Sequence, residues 1–381
     1  MKRQKGFTLV EMMVATAILI ATVSAAVLAL VQAQRATQGI ALLASTQQNL
    51  RAGMHFLVRD LTQAGAGIPQ GGVTIPNNSS SLSNLNRPGT IPQIIFPNTY
   101  SVLPPIVPGN TLGQLATSVN PTTLAVLTGH NTDIINIMYA DNTLTDINGN
   151  SLNSYPIVQA SPSTPVCAGV ITSSSVTLAS GCFTMPGTPQ TVPVAVGNLM
   201  MFTGSTGNAL GYVTAVAGQV ISFGSGDPAD LNGTGAANGT LAALVTAGGP
   251  ITMTRVWMIS YYIDVVTNSS RPQLIRQVNW PGYPASGAAN PPSVLADVIE
   301  DLQLTYDISG STAAAGSYTN GAGNAPTPIL PDTAAQIRAI NIYLAARSET
   351  PYAATQQFFR NNLVTQVCVR SLAFVPPFTV N

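Results

Sequence analysis

The chain has 381 residues, enough for one large or two ordinary domains, but only 7% of them are charged, against about 25% in a typical soluble protein. The 14 basic and 14 acidic residues balance, and both lysines, Lys2 and Lys5, lie within the first five positions. Beyond them, no lysine is available for a phosphate-binding loop and no basic patch predicts nucleic-acid binding.

The first predicted element is an apolar segment behind a basic leader. The leader ends at Gly6 and contains three basic residues, namely Lys2, Arg3 and Lys5. Residues 7–31 are long enough to span a bilayer core, which needs roughly 20 apolar residues, and their one charged side chain is Glu11. A carboxylate in such a span costs about 2.5 to 3.5 kcal/mol on insertion scales, so Glu11 requires a partner.

Cleavage between Gly6 and Phe7 would supply that partner. The new α-amino group would have a pKa of about 8 and carry a positive charge. A helix N-terminus adds partial positive charge of its own. We therefore expect Glu11 to be neutralised by an N-terminus, either its own or that of a neighbouring subunit.

The run Gly6-Phe7-Thr8-Leu9-Val10-Glu11, followed by Met12-Met13-Val14-Ala15, resembles the N-terminal signal of type IV prepilins and type II secretion pseudopilins. The resemblance implies that a prepilin peptidase cuts after Gly6 and methylates Phe7. It also implies that Glu11, fifth in the mature chain, pairs with the N-terminus of an adjacent subunit during filament assembly. Removal of the leader leaves 11 basic residues, all arginines, against 14 acids, a net charge of about −3.

Two other interpretations of this segment compete. A cleaved secretory signal would use the same basic residues and the small-residue site Val23-Ser24-Ala25, but Glu11 lies early in its would-be apolar region. A plain single-pass anchor accounts for the length, but not for Gly6-Phe7 or Glu11.

The helix is predicted to continue to residue 64. Seven positions, apolar except for Gln47, recur at spacings of three and four and form one stripe, which predicts a helical face docked on a globular head: Ile40, Leu43, Gln47, Leu50, Met54, Leu57 and Leu61. Four charged residues fall off this stripe and are expected to be solvated: Arg35, Arg51, Arg59 and Asp60. Gly39 indicates either a bend or simple tolerance of glycine, and Ala64-Gly65-Ala66-Gly67-Ile68-Pro69 predicts the end of the helix.

Residues 65–132 are rich in Pro, Asn, Ser and Gly and are predicted to be an irregular connection, and residues 133–381 a β-rich head. Within the head, residues 141–249 are interpreted as an insertion between core strands. Residues 209–223 are expected to form a hairpin that turns near Ala217-Gly218. The resulting fold class is α+β: a long N-terminal helix packed on an antiparallel sheet.

The last third of the chain shows clean alternation of apolar and polar residues. One face of a predicted strand carries Trp257, Ile259, Tyr261, Ile263 and Val265, with residues 274–279 as its hairpin partner. Residues 298–306, 337–347 and 367–370 resemble, in this order, the strand pattern of PilW-like minor pilins. Family members commonly have asparagine after the final arginine, whereas this chain has Ser371.

Few residues suggest chemistry. Cys167 and Cys182 are expected to close a disulfide loop in an oxidising compartment, worth about 3 kcal/mol, and Cys368 is expected to be a buried thiol. Neither His55 nor His130 has the surroundings of a catalytic triad, and no Gly-x-Ser-x-Gly motif is present. We expect no catalytic residue, no metal site and no cofactor.

The alternative to this expectation is calcium, since two Asp- and Asn-rich segments contain some of the oxygen ligands of a calcium loop. They are residues 146–150 and the set Asp227, Asp230 and Asn232. Asx turns are the simpler interpretation, and Asp297, Glu300 and Asp301 are interpreted as a solvated acidic face.

The resemblance implies a minor pilin of a type IV pilus, in the complex that primes assembly and lies near the tip. Its expected partners are the prepilin peptidase, other minor pilins, the major pilin, the inner membrane and a tip adhesin, with no specific nucleic acid. The head would lie in the periplasm before assembly and on the cell surface afterwards. The alternatives are a J-type pseudopilin of type II secretion, which shares the head pattern, and a membrane-tethered enzyme or binding protein.

Overall fold

The computed structural model describes residues 8–69, 72–76, 102–109, 113, 115–119, 126–141, 155–157, 169–178, 194–225, 227, 231–232, 238–264, 271–279, 293–308, 337–353, 355–369 and 371. The elements in chain order are α1 Leu9–Gln63, β1 Val73–Thr74, β2 Val102–Leu103, β3 Ile106–Gly109, β4 Leu115–Val119, β5 Val126–Asn131, β6 Ile134–Ala140, β7 Tyr155–Ile157, β8 Gly169–Ile171, β9 Ser175–Leu178, β10 Leu199–Gly204, β11 Gly207–Tyr212, β12 Ala215–Ala217, β13 Val220–Ser222, α2 Leu241–Ala247, β14 Ile251–Asp264, β15 Gln273–Val278, β16 Ser293–Asp297, β17 Ile299–Ile308, β18 Ile337–Arg347 and β19 Arg360–Cys368. A long N-terminal helix followed by antiparallel sheets confirms the predicted α+β class.

Helix α1 is uninterrupted over 55 residues, roughly 80 Å at 1.5 Å per residue. The chain leaves it at Ala64, whose N–H donates to the carbonyl of Leu61 at 3.2 Å. Gly65 follows with φ 79°, a left-handed conformation that costs glycine no Cβ clash. Its N–H then donates to the carbonyl of Met138 on β6 at 2.8 Å. The predicted end of the helix at this glycine-rich segment is confirmed.

The largest sheet is organised around β14, which is 14 residues long and pairs along both of its edges. One edge pairs first with β10 and then with β15, and the other edge pairs first with β7 and then with β6. Strands β11, β3 and β16 extend the sheet outward from β10, β6 and β15. The predicted hairpin between β14 and residues 274–279 is confirmed as the antiparallel pair β14–β15.

Strands β17, β18 and β19 form a second, three-stranded antiparallel sheet. The chain passes from the first sheet into the second at Val298, which separates β16 from β17. This buried residue has φ 56°, an unusual conformation for a β-branched side chain. Its carbonyl accepts a hydrogen bond from the N–H of Arg347 at 3.0 Å, which fixes the crossing on β18.

The main core lies between the second half of α1 and the inner faces of these two sheets. The predicted alternation is confirmed here, because Ile259, Tyr261 and Ile263 of β14 face the same core as the inner residues of β17 and β18. Gly53 allows the helix to approach closely, since an added Cβ there would lie 2.8 Å from Leu274 Cδ2. The buried members on α1 and the three-stranded sheet include Leu50, Met54, Leu57, Leu61, Leu302, Leu304, Tyr306, Ile340, Ile342, Leu344 and Val367.

A separate core lies in the other half of the head. It is formed by strands of the sheet β8, β9, β13 and β12, by helix α2 and by one face of β10 and β11. Phe202 and Phe223 meet edge to face there, with ring centroids 5.1 Å apart. The turn predicted near Ala217-Gly218 joins β12 to β13, with Gly218 at φ 58°. Because β10 also pairs with β14, this half is continuous with the main sheet, and the division of residues 141–249 as an insertion stays a prediction.

Three predictions about the environment of charged and cysteine residues are wrong. Asp60 is fully buried rather than solvated, because its side chain is turned toward β14 and β15. Glu300 and Asp301 are also buried, since arginine and glutamine side chains cover them. Cys368 is exposed, because in β19 it lies on the outward face and the neighbouring Val367 takes the inward position.

The prediction for residues 65–132 needs a correction as well. Five short strands, β1 to β5, lie in this interval. Their segments are brief or contain Pro and Gly, so their sequences show little alternation. Strand β3 nevertheless pairs with β6 from Ile106 to Gly109 and contributes Ile106 to the main core.

Candidate functional site

The start of α1 holds the predicted assembly residue, Glu11. Thr8 is the N-cap, and Glu11 occupies the third helical position, which makes a reciprocal capping box. The N–H and the hydroxyl of Thr8 both donate to Glu11 Oε2, each at 2.9 Å, and the N–H of Glu11 donates to Thr8 Oγ1 at 3.4 Å. In the described part of the chain, all hydrogen bonds to the Glu11 carboxylate reach the same oxygen, Oε2.

Past Glu11, the helix presents apolar side chains on every side, and residues 12–30 are all exposed. We call this part of the helix the bare half of α1. Its most apolar 18-residue window has a mean hydropathy of 2.5, and none of that window is buried against the rest of the molecule. The few hydroxyl groups in this stretch bond to the helix itself: Thr16 donates to the carbonyl of Met12 at 3.0 Å and Ser24 to that of Ile20 at 2.7 Å. A helix that satisfies its own polar groups and exposes apolar side chains all round is suited to lipid or to packing against other helices.

The docked half of the helix begins later than the predicted stripe. Ile40 and Leu43 are 70% and 41% exposed, whereas Leu50 and the following stripe residues are buried in the main core. Gly39 lies within the uninterrupted helix and faces the rings of Tyr352 and Phe359, from which an added Cβ would be 3.4 and 3.7 Å away. The alternative that Gly39 is tolerated in a continuous helix is the correct one, and its position coincides with the helix leaving the head.

A buried ionic cluster fixes the end of α1 on the main sheet. Asp60 Oδ2 accepts hydrogen bonds from Arg276 Nε of β15 at 2.6 Å and from the hydroxyl of Tyr261 of β14 at 2.7 Å. Its Oδ1 lies 3.0 Å from Arg59 Nε. The Tyr261 hydroxyl also contacts the carbonyl of Phe56 at 3.1 Å. The carboxylate thus connects one helix to two strands.

The pKa values in this cluster follow from burial and from the Asp60 charge. Burial raises the pKa of Tyr261, and the neighbouring carboxylate raises it further. The same two causes, in the same order, raise the pKa of Tyr139. Burial alone would lower the pKa of Arg276, but its hydrogen bond and attraction to Asp60 raise it overall. The arrangement therefore keeps both tyrosines neutral and the arginine charged.

The sequence contained a signal for this cluster that the stripe analysis missed. Positions 53, 57, 60 and 64 follow each other at spacings of four, three and four, and all four residues are buried. Asp60 therefore lies on the docked face, and an acid at such a position requires a buried cationic partner. The identity of that partner, Arg276, follows only from the strand register.

A second buried carboxylate, Glu300 of β17, contacts side chains of both other strands of the three-stranded sheet. Arg347 and Arg360 are directly opposite each other on β18 and β19. Arg360 Nε donates to Glu300 Oε2 at 2.9 Å, and Arg347 Nη1 lies 3.4 Å from Glu300 Oε1. Both guanidinium groups also lie over the ring of Phe358, at 4.4 and 5.9 Å from its centroid.

The other predicted residues are placed as follows. Gly6, Phe7, Cys167 and Cys182 lie outside the described residues, so the processing site and the disulfide stay predictions. Asp227 accepts hydrogen bonds from the N–H groups of Leu231 and Asn232 at 3.0 and 3.1 Å, so backbone donors four and five residues on hold its carboxylate. Residues 146–150 and Asp230 lie outside the described residues, and the Asx-turn interpretation stays a prediction. No group of three or more His, Cys, Asp or Glu side chains suited to a metal is found among the residues that the structure describes.

Comparison with known proteins bears on the first of these segments. No curated protein and no solved structure matches the chain. The family model described as the prokaryotic N-terminal methylation motif matches residues 1–29. This interval contains the basic leader, Gly6, Phe7, Glu11 and most of the bare apolar helix. The match, together with the α+β fold, supports a type IV pilin-like protein that a prepilin peptidase processes and whose apolar helix fits an inner-membrane anchor before assembly.

Proposed function

We propose that this chain is a PilW-like minor pilin, a structural subunit that is cut after Gly6, methylated on Phe7 and assembled into a type IV pilus. The observation that carries the proposal is the division of α1. Its first half is bare and apolar behind a methylation motif, and its second half is docked in the core of a β-rich head. An ordinary anchor needs the first feature but not the motif, and a soluble protein needs neither.

The mechanism is noncovalent. In the membrane, the bare half of α1 is solvated by lipid, and in the filament it packs against the same half of other subunits. The docked half holds the head at a fixed orientation, because Asp60, Arg276 and Tyr261 join the helix to the sheet. Assembly therefore moves the subunit as a unit from the membrane to the pilus, where minor pilins, the major pilin and a tip adhesin are the proposed partners.

Glu11 sets the register of the subunit in this proposal. The capping box occupies Oε2 and leaves Oε1 available for the methylated N-terminus of an adjacent subunit. Capping within one chain and pairing between chains are therefore compatible. The pairing would neutralise the carboxylate in the apolar filament core, where an unpaired charge is costly.

Mass spectrometry of the N-terminus tests the processing step. We expect the purified protein to begin at Phe7 and to carry one added methyl group, whereas a Gly6→Val variant retains the leader. An intact leader in the unaltered chain, or a cut near Ala25, contradicts the proposal. Deletion of the gene separates the two assembly systems: loss of pili with normal secretion supports the minor pilin, and the reverse result supports the J-type pseudopilin.

The role of Glu11 is tested with two variants that differ in capping. Glu11→Gln retains a side chain able to cap Thr8 but has no charge, and Glu11→Val has neither. We expect both to insert in the membrane and both to enter filaments at least about tenfold less than the unaltered chain, which corresponds to about 1.4 kcal/mol. Normal incorporation of Glu11→Gln would assign Glu11 to capping alone.

A further inference from the structure

The hairpin of β18 and β19 follows α1 toward the point where the helix leaves the head. Leu344 of β18 lies beside Gly53, 3.3 Å from the position of an added Cβ, and Tyr352, just past β18, lies beside Gly39 at 3.4 Å. Fourteen residues separate these two glycines, about 21 Å along the helix axis. The chain from Leu344 to Tyr352 therefore runs antiparallel to α1, toward the bare half of the helix.

The chain reverses just beyond Gly39. Tyr352 and Gln357 form a β-bridge, and the N–H of Gln356 closes the turn on the carbonyl of Tyr352 at 2.8 Å. The described residues of this tip, Ala353, Thr355 and Gln356, are exposed. Tyr352 and Phe359 stack at 5.1 Å and hold the base of the tip against the helix.

The position of the tip relative to a membrane follows from helix geometry. If the apolar run ends at Val31, Gly39 lies about 12 Å beyond the hydrocarbon boundary. A bilayer is about 40–45 Å thick with a hydrocarbon core of about 30 Å, so the headgroup layer extends about 5–8 Å on each side. Ala353 continues the chain about 3 Å past Tyr352, and the exposed side chains of Thr355 and Gln356 project from the same turn, so the tip lies at the outer limit of this layer.

The chemistry of the tip fits that layer. Residues 350–359 contain no charged side chain, so contact with lipid requires no desolvation of an ion in this segment. Three of these ten residues are aromatic, namely Tyr352, Phe358 and Phe359, in a chain with 6% aromatic residues overall. Tyr352 has the amphipathic kind of aromatic ring that is enriched where a protein meets the membrane interface.

We propose that the tip of the β18–β19 hairpin rests in the lipid headgroup layer on the side of the membrane where the head lies. This inference rests on the proposed function, because it requires the bare half of α1 to span the bilayer. The contact gives the head a defined height and tilt above the membrane before assembly, and the subunit loses it when it enters a filament.

Fluorescence quenching in vesicles tests the contact. The full chain carries Cys368→Ser and one new cysteine with an environment-sensitive dye at one of three positions, Thr355, Ile20 or Ala217. Ala217, in exposed β12 of the other half of the head, is the control. In vesicles of phosphatidylethanolamine and phosphatidylglycerol, we expect a headgroup-attached spin label to quench dye at position 355 at least about twofold more than dye at position 217. The Cys368→Ser chain with no added cysteine serves as the blank for dye on Cys167 or Cys182.

The dye at position 20 separates failure of this inference from failure of the proposed function. If acyl-chain spin labels quench position 20 while position 355 behaves like position 217, the helix spans the bilayer and the contact is wrong. If position 20 is not quenched, the anchor itself is wrong and the contact fails with it.

A second variant pair tests the hairpin without altering its tip. Gly39→Leu introduces a side chain where Tyr352 and Phe359 pack and should push the hairpin away from the helix. We expect it to halve the quenching at position 355 or reduce it further, whereas Ala41→Leu, at an exposed position of the same helix, should leave it unchanged. Equal quenching in the Gly39→Leu and Ala41→Leu chains would mean that the helix does not position the tip.

Discussion

At the scale of single residues, Asp60 determines how the helix is seated. Its carboxylate is fully buried, accepts hydrogen bonds from Arg276 and Tyr261, and lies beside Arg59. A buried ion pair of this kind is weak evidence for net stability, because both charges lose their hydration. We expect it to contribute specificity instead, since any other position of α1 on the sheet would leave a buried charge without a partner.

Replacement of Asp60 should therefore be costly. Asp60→Ala leaves the guanidinium of Arg276 and the hydroxyl of Tyr261 without their acceptor, and we expect a loss of about 3–5 kcal/mol in the free energy of unfolding. The matched control is Asp297→Ala, which removes a partly exposed carboxylate 3.6 Å from Arg271 and should cost less than about 1 kcal/mol.

Denaturant unfolding of the full chain in detergent, followed by far-ultraviolet circular dichroism, measures both changes. Similar midpoints for Asp60→Ala and Asp297→Ala would show that the Asp60 cluster does not hold the helix. A double variant, Asp60→Leu with Arg276→Met, should recover much of the loss, because it removes both charges together.

At the scale of elements, hydrophobic periodicity predicted the helix and the strands whose own sequences show a regular pattern. Helix α1, its end near residue 64 and strands β14, β17 and β18, which have 14, 10 and 11 residues, all have long, regular patterns. The alternation of Leu302, Leu304 and Tyr306 with polar residues reports one buried face, and that face is in the main core. Strands β1 to β5 were missed because a strand of two to six residues has too few positions to show a period.

The features that the sequence did not predict depend on tertiary contacts. The stripe on α1 begins at Ile40, but its buried part begins only near Leu50, because the extent of the head along the helix is not encoded in the helix sequence. Nothing in the helix pattern marks Gly53, whose role is to admit the side chain of Leu274 against the helix. Of the candidate site, the sequence predicted Glu11 as an assembly residue, and its capping partner Thr8 is only three residues away. Arg276 and Glu300 acquire their roles through strand register, which the sequence does not show.

At the scale of the whole molecule, β14 makes the head continuous. Its first half pairs with β10 and β7 and its second half with β15 and β6, so one strand runs from the far core to the core against α1. Three tyrosines of β14 and β17 are buried. Tyr261 and Tyr306 lie in the core against the helix, and Tyr262 lies on the opposite face of β14.

These tyrosines make the stability of the head depend on alkaline pH. Burial raises the pKa of all three, and the charges of Asp60, Asp264 and Asp133 add to the effect at Tyr261, Tyr262 and Tyr306, respectively. An unfolded tyrosine ionises near pH 10. Above that pH the unfolded chain binds fewer protons than the folded chain, so the stabilisation is complete below about pH 10 and is lost as the pH rises further, by up to about 1.4 kcal/mol per pH unit for each tyrosine.

Tyr306→Phe isolates one contribution to this pH dependence. The Tyr306 hydroxyl is buried and has no hydrogen-bond partner among the described residues. Its removal should leave the free energy of unfolding near neutral pH unchanged or raise it by about 1 kcal/mol, and should flatten the loss between about pH 10 and about pH 12. Tyr261→Phe is the contrasting variant, because it deletes hydrogen bonds to Asp60 and Phe56 and should destabilise the head at every pH. Denaturant midpoints measured across this range, with tyrosinate absorbance as a second signal, distinguish the two; equal slopes for Tyr306→Phe and the unaltered chain would mean that Tyr306 ionises in the folded head as readily as in the unfolded chain.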